Sequence, residues 1–236
     1  MSDAITDAYY GLDSRMKIIE VISNNLANAG TIGFKRDFGR ILQSEDPDMQ
    51  KLLEVGTSVD MAPGEMSSTR NPLDVAINGP GFFEVQTPSG ARYTRNGSFS
   101  LTESGDLVTK DGLKVMSKSG NGINVTGANV AIQDGGIVTV DGNEVATLKV
   151  VTFKNNDQLQ KEGMNRLIWN GSADGVQDVA EPSLTGGAVE HSNVNSISEM
   201  VHLMGAYRDF ETVQRTLKTL ETDMNGRLIQ ELGKLT

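Results

Sequence analysis

The sequence contains no cysteine, and this absence excludes two kinds of site. Without thiols the chain can form neither disulfide bonds nor a thiolate metal site. The absence fits a reducing compartment, and it also fits a protein that leaves the cytosol by a route that needs no signal peptide. Residues 1–7 are acidic and lack the apolar segment of a secretory signal, so no cleavable signal is expected.

Positive charge is also scarce. The 236 residues include 21 Lys and Arg against 31 Asp and Glu, which gives a formal net charge of −10. Because binding to phosphates requires clustered Lys and Arg, this balance argues against a nucleic-acid partner. The short basic cluster Lys35-Arg36 with Arg40 is interpreted as a helix end or a loop. No apolar run approaches the ~18 residues of a membrane-spanning helix, so no direct membrane insertion is expected.

Signatures of catalysis are missing as well. The two histidines, His191 and His202, have no thiol or carboxylate at a spacing typical of metal ligands. The chain contains no phosphate-binding loop, no Gly-x-Ser-x-Gly turn and no His-Glu-x-x-His helix. Asp46-Pro47-Asp48 lacks the glycine and the distal glutamate of a calcium loop. We therefore predict no catalytic residue, no metal and no cofactor.

Two other functions stay open at this point. A β-rich body could bring two carboxylates together to cleave glycans, and Trp169, the only tryptophan, could bind a sugar. A secreted adhesive module is the second alternative. We interpret Trp169 as a core residue instead, because it lies in the strand-like run Arg166-Leu167-Ile168-Trp169.

Both ends of the chain carry apolar residues at alternating spacings of three and four. The pattern involves Ile5, Tyr9, Leu12, Met16, Ile19, Ile22 and Leu26 near the N-terminus, and Met200, Leu203, Tyr207, Phe210, Val213, Leu217, Leu220, Met224 and Leu228 near the C-terminus. Such spacing places a narrow apolar seam on one face of a helix and is typical of helices that pack on other helices. We predict helices over residues 3–28 and 194–232, in a chain that is a subunit of an assembly.

The middle of the chain has a different pattern. Nineteen of the 26 glycines lie between Gly56 and Gly187, and pairs such as Asn96-Gly97 and Asp141-Gly142 separate short runs that alternate with period two. Alternation between such turns is typical of antiparallel strands. The predicted fold is therefore α+β, with terminal heptad helices forming a coiled-coil layer and a central β-rich, antiparallel, sandwich-like domain.

The same patterns divide the chain into four predicted segments. They are a helical polymerisation segment 1–33, a linker 34–70 with short helical and extended pieces, a β-rich domain 71–188 and a second helical polymerisation segment 189–236. Within the linker, a short helix is predicted around residues 48–55. A fragment of about residues 60–188 is predicted to fold alone.

Three asparagines, Asn24, Asn25 and Asn28, lie at the end of the first predicted helix. Their side-chain amides can cap the helix or hydrogen-bond to neighbouring chains. An ordinary helix end followed by a turn explains Asn28 and Gly30, but it leaves the other amides on the helix face unexplained. We therefore expect polar contacts of these asparagines in the assembly.

Three stretches of the sequence resemble known proteins. They are Ser23–Arg36; Asn71–Val85 with Tyr93–Phe99; and Val189–Asn195 with Glu199–Val201 and Arg208–Glu211. The first resembles the Asn-Asn-Leu-Ala-Asn…Thr-x-Gly-Phe-Lys signature of flagellar rod and hook proteins. The second resembles the start of the β domain in their rod members, and the third resembles the family's C-terminal signature. The matches occur in the family's order, whereas residues 113–188 add little.

The resemblance implies a structural subunit of the bacterial flagellar basal-body rod, without a reaction. Such proteins are exported without a cleaved signal through the flagellar type III export apparatus and assemble helically in the periplasm, with the terminal helices inside and the β domain outside. The implied partners are that apparatus, other rod subunits and copies of the chain itself. Absence of cysteine would avoid stray disulfides in the oxidising periplasm. The short stretch between Arg36 and Gly56 favours the proximal-rod type, and the distal-rod type, which usually has an extra segment, is the alternative.

The resemblance also implies an assembly interface on the terminal helices. Its expected members are Ile5, Tyr9, Leu12, Met16, Ile19, Asn24, Asn25, Leu26, Asn28, Asn193, Asn195, Met200, Leu203, Tyr207, Phe210, Leu217, Leu220 and Met224. The apolar members would form the inner helical layer that transmits torque. The asparagines would supply polar contacts in that layer.

Overall fold

The computed structural model of the chain describes residues 2–43, 53–163 and 165–232. These residues form two compact units. Unit 1 comprises residues 1–27, 37–58 and 195–236 as far as they are described, and unit 2 comprises residues 28–36 and 59–194. The four-segment division made from the sequence stays a prediction. Within the described ranges, no helix combines the length and the apolar character that crossing a membrane would need.

Two α-helices and eighteen short strands occur in the described ranges. The helices are α1 (Ser2–Ala27) and α2 (Ser196–Leu232). The strands are β1 (Asp37–Gln43), β2 (Leu53–Val59), β3 (Met66–Ser68), β4 (Val75–Ile77), β5 (Phe82–Thr87), β6 (Gly90–Thr94), β7 (Phe99–Leu101), β8 (Leu107–Thr109), β9 (Lys114–Val115), β10 (Val130–Ile132), β11 (Ile137–Val140), β12 (Asn143–Thr147), β13 (Val150–Phe153), β14 (Leu159–Lys161), β15 (Arg166–Trp169), β16 (Val176–Asp178), β17 (Leu184–Gly186) and β18 (Ala188–Glu190). The predicted α+β class is confirmed.

Unit 1 is built around the packing of α1 against α2. Both helices lie within about two residues of the predicted ranges, because the three-and-four spacing of apolar residues suits a face that packs on another helix. Asn195 begins α2, since its side-chain Oδ1 accepts a hydrogen bond from the Ser198 backbone N–H at 3.0 Å. A coiled-coil layer stays a prediction.

The strands β1 and β2 form a two-stranded sheet in unit 1, and β1 packs on α1. The packing is close at Gly39, where an added Cβ would lie 2.5 Å from Ile18 Cδ1. The short helix predicted around residues 48–55 is wrong over residues 53–55, which belong to β2, and residues 48–52 lie outside the described residues. Val55, Thr57 and Val59 are β-branched at every second position, which favours a strand.

Unit 2 is a set of antiparallel sheets. Its largest sheet has nine strands, in the order β14-β15-β6-β5-β9-β8-β7, with β13 paired to β5 and β16 paired to β13. A three-stranded sheet follows the order β10-β11-β12, and the pairs β4–β17 and β3–β18 join early and late parts of the chain. The predicted antiparallel, β-rich character of this region is confirmed.

Two apolar clusters fill unit 2. The larger includes the fully buried Phe83, Leu107, Val138 and Leu148, which come from different strands and from the loop before β13. The smaller surrounds Phe82, Tyr93 and Val151, and Trp169 packs against it. The Trp169 ring stacks on Phe153 with ring centroids 4.9 Å apart, which agrees with the interpretation of Trp169 as a core residue.

Candidate functional site

The predicted interface residues of α1 divide into packed and exposed positions. Ile5, Leu12, Ile19 and Leu26 are partly buried, whereas Tyr9 and Met16 are about half exposed. The exposed Tyr9 hydroxyl donates a hydrogen bond to Glu221 Oε1 on α2, at 3.1 Å. Their role in assembly is an expectation from the sequence.

The predicted seam residues of α2 also divide into packed and exposed positions. Six of them are buried or partly buried within unit 1: Leu203, Phe210, Val213, Leu217, Leu220 and Met224. Met200 and Tyr207 instead belong to an exposed stripe, which we define as Ile197, Met200, Val201, Met204 and Tyr207, with exposed fractions of 51 to 77%. Large exposed apolar patches are typical of protein–protein interaction sites, so the exposed stripe is a candidate contact surface.

The heptad pattern missed three members of the exposed stripe, namely Ile197, Val201 and Met204. The signal was present in the sequence, since positions separated by three, four and seven residues share one face of a helix. What the sequence could not supply was the boundary between the face that packs on α1 and the face that remains exposed.

The asparagines at the end of α1 have different roles. Asn25 is buried, and its amide pairs with the backbone N–H and C=O of Asp37, each at 2.8 Å, as a peptide group would. Its Nδ2 also lies 3.5 Å from Glu199 Oε2 on α2. Asn28 accepts a hydrogen bond from the Thr31 hydroxyl at 3.2 Å in the turn that follows the helix, and Asn24 is exposed. Asn25 therefore stabilises unit 1 of its own chain.

Asn193, which precedes α2, is hydrogen-bonded to the segments of unit 2 that follow α1 and β2. Its Oδ1 accepts a hydrogen bond from the Arg36 backbone N–H at 2.7 Å. Its Nδ2 donates to the carbonyls of Asp60 and Ala62 at 3.1 and 3.0 Å. Asn193 therefore satisfies backbone groups of its own chain, and Asn195 caps α2. An additional role of either residue in assembly stays a prediction.

Unit 2 contains a buried ion cluster formed by Lys35, Arg95 and Glu190, here called the Glu190 cluster. Lys35 Nζ lies 2.7 Å from Glu190 Oε1, and Arg95 Nε lies 2.9 Å from Glu190 Oε2. The three side chains are at most 5% exposed. Each comes from a different one of the three stretches that resemble flagellar rod and hook proteins, so the structure brings these stretches together at one point.

Backbone groups complete the hydrogen bonding of the Glu190 cluster. The Gly64 N–H donates to Glu190 Oε1 at 2.9 Å, and Lys35 Nζ donates to the Ala62 carbonyl at 2.7 Å. Arg95 Nη1 donates to the carbonyls of Gly79 and Gly81 at 2.8 and 2.7 Å. The sequence had assigned Lys35 to a helix end or loop, and it gave no sign that these three residues meet.

Two glycines are required for this arrangement. Gly33 has a φ of +68°, and an added Cβ would lie 2.5 Å from the Asn96 backbone N. At Gly64 an added Cβ would lie 2.0 Å from the His191 carbonyl oxygen. Larger side chains at these positions would separate backbone segments that flank Lys35, Arg95 and Glu190.

Burial and neighbouring charges shift the pKa values of Glu190 and Lys35. Burial alone raises the pKa of Glu190, but attraction by Arg95, the hydrogen bond from Lys35 and the Gly64 N–H outweigh burial and hold this pKa below its usual value. Burial lowers the pKa of Lys35, and the hydrogen bond and attraction from Glu190 offset this only in part, because Arg95 repels Lys35 and shares the same carboxylate.

Acidification should destabilise unit 2 through Glu190. Because its pKa in the folded chain lies below the ordinary value of 4.5, the ionised carboxylate stabilises the folded state above that value. This contribution is lost as the pH falls through the lower, folded-state pKa. Urea unfolding followed by Trp169 fluorescence, from about pH 7 to about pH 3, should show the loss.

The matched variants for this measurement are Glu190→Gln, which removes the titrating group, and Glu181→Gln, which changes an exposed carboxylate of the same unit. Stability should depend less on pH in Glu190→Gln than in the wild type, and Glu181→Gln should behave as the wild type. An unchanged pH dependence in Glu190→Gln would show that other groups cause the acid effect.

The remaining candidates for chemistry have structural partners. Among the described residues, no group of three or more His, Asp or Glu side chains is placed to hold a metal ion. His191 Nε2 lies 2.7 Å from the Ser67 hydroxyl, and His202 Nδ1 lies 3.6 Å from Glu199 Oε1. Glu84 in the β-rich unit pairs with Lys149 Nζ at 3.0 Å.

Two family models match separate parts of this chain. A family model described as "Flagellar hook protein FlgE/F/G D1 domain" matches residues 76–140, and one described as "Flagellar basal body rod FlgEFG protein C-terminal" matches residues 185–230. The first region contains Arg95, and the second contains Glu190 and the exposed stripe.

Proteins named FlgG and FlgF are similar to this chain over nearly their full lengths. The flagellar basal-body rod protein FlgG of Buchnera aphidicola subsp. Schizaphis graminum is 34% identical, with 95% of this chain and 96% of the relative covered. The flagellar basal-body rod protein FlgF of Escherichia coli K12 is 31% identical with 99% of both chains covered, and FlgF of Mesorhizobium japonicum is 28% identical with 95% and 97% covered. The chain therefore belongs to the family of flagellar hook and basal-body rod proteins.

Proposed function

We propose that this chain is a structural subunit of the flagellar basal-body rod and that it polymerises through its terminal helices. The observation that carries the proposal is the exposed stripe on α2. Burying a fully exposed side chain of this kind gains about 1.5–3 kcal/mol. Because the side chains of the exposed stripe are 51 to 77% exposed, each gains roughly half to three quarters of that amount, and five together can offset a large part of the entropic cost of association. The proposed partners of the exposed stripe are helices of other rod subunits and of further copies of this chain.

The proposed interface differs from the predicted list in one respect. The members of that list that are exposed are Tyr9, Met16, Asn24, Asn195, Met200 and Tyr207. Leu217 and Asn25 are buried within unit 1, so their contribution to assembly is indirect, through the packing of the chain's own helices. The exposed stripe therefore replaces the complete heptad seam as the proposed contact surface.

Within the family, we favour the proximal-rod type, to which the name FlgF refers. The support comes from three FlgF relatives, of Mesorhizobium japonicum, Rhizobium meliloti and Caulobacter vibrioides, which align over 234, 237 and 242 residues, close to the 236 of this chain. FlgF of Escherichia coli K12 and FlgG of Caulobacter vibrioides both align over 250 residues and do not distinguish the types. The two Buchnera FlgG relatives from Schizaphis graminum and Acyrthosiphon pisum align over 256 and 259 residues, which requires insertions relative to this chain. Their identity of 34% keeps the distal-rod type as the second candidate.

The proposed role involves no reaction. The family is one of structural rod proteins, and among the described residues Trp169 is stacked on Phe153 and Glu84 is paired with Lys149. We propose that the protein reaches the periplasmic rod through the flagellar type III export apparatus, as the resemblance implies. No observation favours the glycan-active or the adhesive alternative.

The location of the protein tests this proposal. In a deletion strain complemented with an epitope-tagged chain, purified basal bodies should carry the label on the rod. The proximal-rod type predicts label at the membrane end of the rod, and the distal-rod type predicts label at the hook end. Absence of the tagged chain from intact basal bodies of motile cells would contradict a rod function of either type.

A further inference from the structure

We infer that the contacts of Glu190 with Lys35 and Arg95 form last when unit 2 folds. The unit therefore stays incompletely folded until the segment around residues 188–194 is in place. This inference concerns the isolated chain and does not depend on the proposed assembly. The residues of the cluster lie far apart in the sequence: Lys35 and Glu190 are 155 residues apart, and Arg95 and Glu190 are 95 apart.

The segment that carries Glu190 contacts both the strand β3 and the residues that follow α1. The strand β18 pairs with β3, with Glu190 opposite Met66. The Glu190 carbonyl accepts a hydrogen bond from the Gly33 N–H at 2.7 Å, and Asn193 accepts one from the Arg36 N–H. The late segment thus fixes the residues that follow α1 and the strand that precedes the main sheet.

The burial of two cations makes the segment that carries Glu190 necessary for completing unit 2. Lys35 and Arg95 are both buried, and Glu190 is the carboxylate that contacts both of them. A buried cation without its partner is strongly unfavourable, so the positions of Lys35 and Arg95 cannot lose their water until Glu190 is present. Closing loops of 155 and 95 residues also costs chain entropy, which favours late formation of these contacts.

The fragment of about residues 60–188, which the sequence predicted to fold alone, contains only part of the Glu190 cluster. It retains Arg95 but lacks Lys35 and Glu190, and it also lacks Asn193. We now expect this fragment to remain incompletely folded. For a subunit exported through the flagellar type III apparatus, as proposed above, late formation of these contacts would keep unit 2 incompletely folded until nearly all of the chain has emerged.

Folding kinetics of the full-length chain test the inference. Trp169 is the only tryptophan and lies in unit 2, so its fluorescence reports folding and unfolding of that unit. If Glu190 acts after the transition state, Glu190→Gln should leave the folding rate within about twofold and raise the unfolding rate about 100-fold or more. The control Glu181→Gln should change neither rate by more than about twofold.

A double variant separates the ion pairs from other effects of the substitution. Lys35→Met alone should change the unfolding rate by less than about tenfold, because Glu190 keeps Arg95 and Gly64 as partners. In the Lys35→Met background, Glu190→Gln leaves one unpaired cation instead of two, and its effect should be smaller by about tenfold. If Glu190→Gln alone does not fold, the double variant should recover folded protein.

Several results would overturn the inference. A folding rate that falls about 100-fold with an unchanged unfolding rate would mean that Glu190 is paired early. Unchanged rates in both directions, or equal effects of Glu190→Gln in the two backgrounds, would mean that the carboxylate does not act through the cluster. Failure of the double variant to recover folding where Glu190→Gln is unfolded would mean the same.

Discussion

Met204→Asp should abolish rod assembly and motility and leave the isolated chain folded. Met204 lies in the middle of the exposed stripe with 56% of its surface accessible. In the isolated chain the new carboxylate would remain in water, so the stability should change by no more than about 0.5 kcal/mol. At a helix–helix contact the same carboxylate would be buried without a partner, at a cost of several kcal/mol per contact. A helical polymer repeats that cost at every subunit.

The measurement is swimming of a deletion strain complemented with Met204→Asp, together with thermal unfolding of the purified chain. Gln214→Asp is the matched control, because Gln214 is exposed on the same helix outside the exposed stripe and receives the same charge. This control should swim and unfold as the wild type does. Normal motility of Met204→Asp would exclude the exposed stripe as an assembly surface.

Leu217→Asp should have the opposite effect on the isolated chain. Leu217 is 7% exposed on α2, on the face that packs on α1. An unpaired carboxylate at this position should cost about 3–5 kcal/mol and separate the two helices. Single helices in water are marginally stable, so the helical circular dichroism signal should fall as the pairing is lost. Motility should also be lost, because the exposed stripe requires a folded helix.

The comparison of Leu217→Asp with Met204→Asp distinguishes the two faces of α2. Loss of helical signal should occur in Leu217→Asp alone, and Trp169 fluorescence should stay unchanged in both, since Trp169 belongs to unit 2. If Leu217→Asp retained full helical signal as an isolated chain, the packing of α1 on α2 would not depend on this residue.

Local patterns in the sequence were sufficient to predict the helices and the strand-rich centre. Helix-periodic spacing in α1 and α2 and Asn-Gly or Asp-Gly turns between strands act over a few residues, so they can be recognised without a structure. The three stretches that resemble flagellar rod and hook proteins also predicted the family, which the comparisons confirmed. The helix predicted around residues 48–55 failed where β-branched residues of β2 favour extended backbone.

Contacts between distant residues were decided by the tertiary structure alone. The heptad pattern could not separate Leu217, which packs within the chain, from Met200 and Tyr207, which remain exposed, because apolar spacing is the same for both faces. Nor could it pair Lys35 with Glu190 across 155 residues, since a single charged residue carries no information about its partner. Burial removes water from these groups, and burial thereby makes one ion cluster of three charged residues that lie far apart in the sequence.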